Sequence, residues 1–161
     1  MRIRLVTQVS VPLDIAVKGF NQDLFGFLMP SRALATLVKY EGQSPGDIVD
    51  IAFRIPFLSN WTVIIKDSWH LHREYGFVDR GLRAPMGIVY WEHIHRLVAR
   101  DTQSCFIIDE MDYETRWNFL DFLLYLPLFS AFYFRTFKYE KYYRKLNKKL
   151  LKHQKDLNNP E

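Results

Sequence analysis

Cysteine is almost missing from this chain of 161 residues, with Cys105 the single copy. That excludes an internal disulfide framework and fits a reducing compartment, so the cytoplasm is the expected location. Glycine is sparse and scattered at seven copies. The stretch GQSPGD at 42–47 has neither the lysine nor the following helix that a phosphate-cradling loop needs. No motif for a covalent nucleophile is present, and Cys105, alone in a strand-like run, reads as inert core. The longest apolar run, 119–134, contains Asp121 and Pro127. It falls short of the roughly 20 residues that a bilayer crossing takes, so a buried helix is expected there. At the start, MRIRLVTQVSVPLD alternates and lacks the continuous apolar centre of a signal peptide, and is expected to belong to the fold. Repeats and low-complexity stretches are absent. One domain spanning 1–161 is expected, with a basic helical tail at about 138–155.

The net positive charge belongs to the C-terminal segment. Residues 135–155 hold nine Lys/Arg against one acid, a net of +8, whereas the whole chain carries +4. The remainder is near neutral, which excludes a nucleic-acid-binding body. Lys138, Lys141, Lys145, Lys148, Lys152 and Lys155 fall opposite an apolar helical face of Tyr139, Tyr143, Leu146 and Leu150. Such a stripe is expected to be solvated, with contact to acidic lipid headgroups or an acidic partner as the alternative.

Aromatic residues are abundant: 13 Phe, 9 Tyr and 4 Trp, 16% of the chain. A core absorbs many of them, and the surplus suits the lining of an apolar cavity. Residues 2–11 alternate apolar and polar side chains, as a half-buried strand does. Two short helical pieces follow, one after Pro12 and one around 23–28 that ends before Pro30. Strand-like runs then recur at 35–40, 48–56, 61–69, 77–82, 88–98 and 105–113, separated by turn chemistry such as REYG and RAPMG. The last forty residues switch to helical period, with Pro127 kinking the helix or opening its second part. The expected class is α+β: an antiparallel sheet of about seven strands whose apolar face is covered by one long C-terminal helix.

FVDRGLRAP (77–85), WEHIHR (91–96) and DEMDY (109–113) together carry a family resemblance. The run resembles that of START-like proteins of the SRPBCC superfamily, in the branch that includes polyketide cyclases. Phe77, Asp79, Pro85, Trp91, His93, His95, Asp109 and Tyr113 match the pattern. Ala84 replaces a glycine, Met86 replaces an aromatic residue, and two extra residues lie between Pro85 and Trp91. The resemblance implies a helix-grip fold, in which a curved sheet wraps the terminal helix around a cavity for a hydrophobic small molecule.

Residues two apart on a strand share a face. Val89, Trp91, His93, His95 and Leu97 therefore align, as do Cys105, Ile107, Asp109, Met111 and Tyr113 on the next strand. A tight turn at ARDTQS would bring Asp109 within side-chain reach of His93 or His95. The expected cavity wall is Trp91, Met111, Tyr113, Phe122 and Phe129, with His93, His95 and Asp109 as its polar anchor. The expected function is binding or carrying a lipid, an isoprenoid or an aromatic polyketide-like molecule, without a cofactor. Two alternatives stand beside it. One is an enzyme of cyclase or dehydratase type using a His–Asp pair from His93, His95 and Asp109. The other is a metal on His93 and His95. The second His-x-His pair, His70 and His72, is expected on the surface.

Overall fold

A computed structural model of the chain describes residues 1–56 and 58–158, with side chains through Lys152. Strand β1 (Arg2–Val9) leads into helices α1 (Leu13–Gly19) and α2 (Gln22–Leu28). Strands β2 (Ala35–Tyr40), β3 (Ile48–Phe53), β4 (Trp61–Leu71), β5 (Glu74–Arg83), β6 (Ile88–Ala99) and β7 (Cys105–Thr115) follow, and helix α3 (Asn118–Asn158) ends the chain. The seven strands form one antiparallel sheet in the order β1-β7-β6-β5-β4-β3-β2. This is the α+β helix-grip arrangement expected from the sequence.

Local chemistry accounts for most boundaries. β1 alternates perfectly between exposed and buried positions, so it pairs with β7 while showing one face to the interior. Asn21 caps α2, its side-chain oxygen accepting from the backbone of Asp23 at 3.0 Å and Leu24 at 3.3 Å, a contribution of about 1 kcal/mol. In the β6–β7 turn, Asp101 accepts from Gln103 N and Ser104 Oγ, each at 2.8 Å. That closes the tight connection expected of ARDTQS.

Three local expectations are corrected. REYG is not a turn: the β4–β5 hairpin turns at His72–Arg73, and Glu74, Tyr75 and Gly76 are already paired with Leu71, His70 and Trp69. Val89 does not share the face of Trp91, because a register irregularity between Ile88 and Tyr90 flips the alternation and leaves Val89 exposed. The run 119–134 is not buried all round. Phe119, Phe122, Leu123 and Leu126 face outward, as does Phe137 just beyond it.

The phase of α3 explains that last result. Asp121 Oδ1 accepts from Thr115 N at 2.8 Å and Thr115 Oγ1 at 2.7 Å, and the Tyr113 hydroxyl donates to the Asp121 carbonyl at 2.6 Å. With the helix start tied to β7, Leu128, Phe132, Tyr139 and Tyr143 turn inward. Tyr143 then donates to the Ala16 carbonyl at 2.8 Å and locks α1 onto α3. Pro127 lies within a single continuous helix. Among the described residues no helix is long and apolar enough to cross a membrane.

Candidate functional site

The buried apolar residues fall into two clusters. One gathers Phe20, Phe77, Leu97, Ile107 and Tyr139; the other gathers Ile3, Leu5, Trp91, Met111 and Phe132. Four polar side chains bridge them: Asp79 (7% exposed), His93 (3%), His95 (6%) and Asp109 (3%). Their placement is a matter of register. β6 runs between β5 and β7, with His93 opposite Asp79 and Met111, and His95 opposite Phe77 and Asp109. Two imidazoles on the middle strand are thus flanked by one carboxylate on each side.

The hydrogen bonds run diagonally. His93 Nε2 lies 3.1 Å from Asp109 Oδ1, and His95 Nε2 lies 3.2 Å from Asp79 Oδ2. His93 Nδ1 is 3.6 Å from the same Asp79 oxygen. His95 Nδ1 is 2.9 Å from Asp109 Oδ1, but off the line of a hydrogen bond, so the contact is charge pairing. The Trp91 indole donates to Asp79 Oδ1 at 3.0 Å. The two imidazoles pack 3.7 Å apart between centroids. Phe77 stacks on His95 at 4.4 Å, and Phe132 meets His93 edge-on at 5.3 Å.

Burial and pairing compete at each group. Burial pushes the His93 imidazole below the ordinary histidine value, and the charge on His95 adds to it against the pull of Asp109 and Asp79. Burial opposes charge on His95 as well, but pairing with Asp109 and Asp79 outweighs it and holds that imidazole up at about 9. Burial works against the Asp109 carboxylate, yet the two imidazoles keep it below the usual carboxylate range. One buried cation and one neutral imidazole therefore coexist at neutral pH. Tyr139 is held un-ionised by burial and then by the nearby Asp109 charge.

Beside these groups lies a cavity of about 470 Å³. Its lining takes Phe20 from the end of α1, Leu24 from α2, Val63 and Ile65 from β4, and Leu128 and Phe132 from α3. Trp61 also lines it and meets Trp91 edge-on at 4.6 Å. The lining continues to Met86 and Phe134, both exposed, so the space opens there. Met86 and Gly87 both adopt positive φ, 61° and 74°. The turn where the sequence departs from the family pattern therefore forms part of the mouth.

Of the expected site residues, Trp91, His93 and His95 line the cavity. Asp109 stands behind the imidazoles instead of on the wall. Met111 and Tyr113 are fully buried in the sheet-to-helix core and do not reach the space. Phe122 is a correction: it is 72% exposed, because the anchoring of Asp121 turns its neighbour outward. Phe129 is another, packed beside Tyr125 and Tyr133 against the second cluster and not on the wall. Lys138 does not join the solvated stripe either. Its ammonium donates to the carbonyls of Leu28 at 3.0 Å and Met29 at 2.8 Å, closing the C-terminus of α2 at the cavity edge. Lys155 lies outside the described side chains. His70 and His72 are exposed at the β4–β5 hairpin.

Asp79 is the residue sequence reasoning left out of the site. Its signal was available: FVDRG alternates, and Asp79 shares the face of the buried Phe77.

No protein-family model matches the sequence, and no curated protein matches it. Solved structures do match. A norcoclaurine synthase point mutant from Thalictrum flavum, in complex with a transition-state analogue, is 16% identical with a TM-score of 0.66, covering 91% of this chain and 96% of that one. The Zhui aromatase/cyclase from a Streptomyces species is 17% identical with a TM-score of 0.54, covering 73% and 69%. Ara h 8.0201 is 13% identical with a TM-score of 0.54, covering 90% and 98%. At these identities the likeness concerns the fold alone. The strand order, the pair of short helices after β1 and the long terminal helix, together with these likenesses, give the chain an α+β helix-grip fold.

Proposed function

We propose that the protein binds or carries a small hydrophobic molecule, a lipid, an isoprenoid or an aromatic polyketide-like compound, inside the sheet. The carrying observation is the cavity. Packed interiors leave few voids larger than a water molecule, whereas about 470 Å³ lies within the range of ligand pockets. Its walls are mostly apolar, with Asp79, His93 and His95 at one corner and Asn21, Gln43, Arg135 and Lys138 elsewhere on the lining. Such a surface holds a guest by burial, at roughly 25 cal/mol per Å² of apolar area, and orients it through one polar group. Titration with the neutral fluorophore N-phenyl-1-naphthylamine in buffer containing EDTA tests this. Saturable binding of one equivalent is expected, and Val63→Trp, which fills the space, is expected to weaken it at least about tenfold. Absence of saturable binding by the unsubstituted chain, with no organic molecule released on denaturing extraction, sinks the reading.

The second reading is acid–base catalysis of cyclase or dehydratase type in the same cavity. It is favoured by two imidazoles facing the space with carboxylates against them, the parts a proton transfer at carbon needs. His93→Ala separates the two: a carrier loses affinity modestly, an enzyme loses turnover by about 10²-fold or more.

The outward face of α3 adds a proposed contact with acidic membrane surfaces. Phe119, Leu123, Leu126 and Phe137 are exposed along it, and Lys141, Lys145, Lys148 and Lys152 continue toward its C-terminus. Each lysine near an anionic surface contributes about 1 kcal/mol at low salt. Flotation with phosphatidylglycerol vesicles is expected to capture the protein at low ionic strength and release it near 1 M salt, where screening acts within about 3 Å. Equal recovery at both salt concentrations removes the lysines from the account.

A further inference from the structure

We propose that Asp79, His93 and His95 form a binding site for a divalent transition-metal ion, zinc being the ion whose preferences the donors fit. One ligand atom from each of the three residues can be chosen so that all lie within 4.8 Å of one another. His95 Nε2 and His93 Nδ1 both approach Asp79 Oδ2, at 3.2 and 3.6 Å. Donors around a tetrahedral zinc with bonds of about 2.0–2.2 Å stand roughly 3.3–3.5 Å apart. The two separations from Asp79 bracket that spacing and the three donors stay within 4.8 Å, so the site closes on an ion by side-chain shifts alone.

The surroundings orient each donor. Asp109 Oδ1 lies behind both rings, hydrogen-bonded to His93 Nε2 at 3.1 Å and in charge-pairing contact with His95 Nδ1 at 2.9 Å. An ion entering here displaces the second proton of His95 to solvent, and with protons kept on those far nitrogens, His93 Nδ1 and His95 Nε2 turn their lone pairs toward Asp79. A carboxylate behind a histidine is the usual support of a metal-bound imidazole. Trp91 Nε1 occupies Asp79 Oδ1 at 3.0 Å and leaves Oδ2 facing the rings.

Position and charge agree with this division. Asp79, His93 and His95 line the cavity and Asp109 does not, so three donors meet the open space and their support lies behind them. An ion held by three side chains keeps a position for water or for an oxygen of a guest molecule. Among the described residues neither Asp79 nor Asp109 pairs with a lysine or arginine. Two buried carboxylates without such partners match the charge of a divalent ion. The exposed His70 and His72 form no ion pair with a carboxylate among the described residues, which makes them the natural control. The site stands whether or not the cavity carries an organic guest.

The test is titration of the full chain, stripped by dialysis against chelator, with zinc chloride by calorimetry and with cobalt chloride by visible absorption. One equivalent of zinc and the visible bands of low-coordinate Co(II) are expected. Asp109→Asn should weaken zinc by roughly 10–100-fold, as loss of a supporting carboxylate does, and Asp79→Asn by more. His70→Ala/His72→Ala should retain full affinity. Circular dichroism establishes that each variant is folded. Should Asp79→Asn fail that check, the cobalt titration of the unsubstituted chain and of the His70→Ala/His72→Ala variant decides. No stoichiometric binding, binding unchanged by Asp79→Asn, or binding lost with His70 and His72 overturns the proposal. Because the fluorophore experiment is run in EDTA, its outcome stays separate from this one.

Discussion

Replacement of Asp109 by alanine is expected to lower the unfolding free energy by about 3–5 kcal/mol, the range for removing one partner of a buried ion pair. The expectation follows from what the substitution leaves behind. Both imidazoles are nearly solvent-free and both lie against Asp109 Oδ1, at 3.1 and 2.9 Å. With the carboxylate gone, His95 keeps only its contact with Asp79, and His93 Nε2 loses its hydrogen bond without gaining water. Leu5, which pairs with Asp109 from β1, cannot replace either interaction. Urea denaturation at neutral pH in EDTA measures the loss without a contribution from bound metal. Asp109→Asn sharpens the result, because an amide keeps an acceptor oxygen for His93 Nε2 while removing the charge and replacing the other oxygen with an NH2 donor. It should cost less than alanine, about 1–3 kcal/mol. Should alanine cost under 1 kcal/mol, or the two variants cost the same, Asp109 is not the group that holds the imidazoles in place.

The sequence showed the fold more readily than the site, for a physical reason. Strand alternation and turn residues are local signals, and they located the seven strands, the two short helices and the long terminal helix. Where such signals failed, the packing or register of neighbouring elements had overruled them. Gly76 looked like turn chemistry, but it lies inside β5 because the Trp69 indole occupies the space a side chain would need. Val89 lost its face to an irregularity that no alternation rule contains. Phe122 looked like wall until Asp121 bonded to Thr115 and fixed the phase of α3. That Asp109 reaches His93 or His95 was legible from a tight β6–β7 turn. Asp79 was harder, since its partners come from the β5–β6 register, across a turn whose Met86 and Gly87 both take positive φ. A strand register of that kind is a property of two segments together, and only the buried neighbour Phe77 hinted at it.

Gly76→Ala is the other substitution expected to act strongly, and it links the outer face of the sheet to the site within. A Cβ at this position would collide with Trp69 Cζ2, lie 2.5 Å from Trp69 Cε2 and 2.8 Å from the His95 carbonyl oxygen. The indole can retreat only by giving up its 3.0 Å hydrogen bond to Glu74, the residue that also holds Arg96 through two bonds of 2.9 Å. The His95 carbonyl cannot retreat at all without moving β6. Overpacking of a core commonly costs 1–3 kcal/mol, and with backbone as one of the obstacles the upper end, about 3 kcal/mol, is expected here. For a chain of this length that lowers the melting midpoint by roughly 6–12 °C. Trp69→Phe in the Gly76→Ala background removes part of the indole and should recover part of the loss. The remainder belongs to the contact with His95, and it should be accompanied by weaker binding of the neutral fluorophore, because the strand that shifts is the one carrying both imidazoles. Full recovery in the double variant would mean that Trp69 alone requires the glycine. An unchanged midpoint in Gly76→Ala would mean that β5 and β6 have more room at this point than their spacing shows.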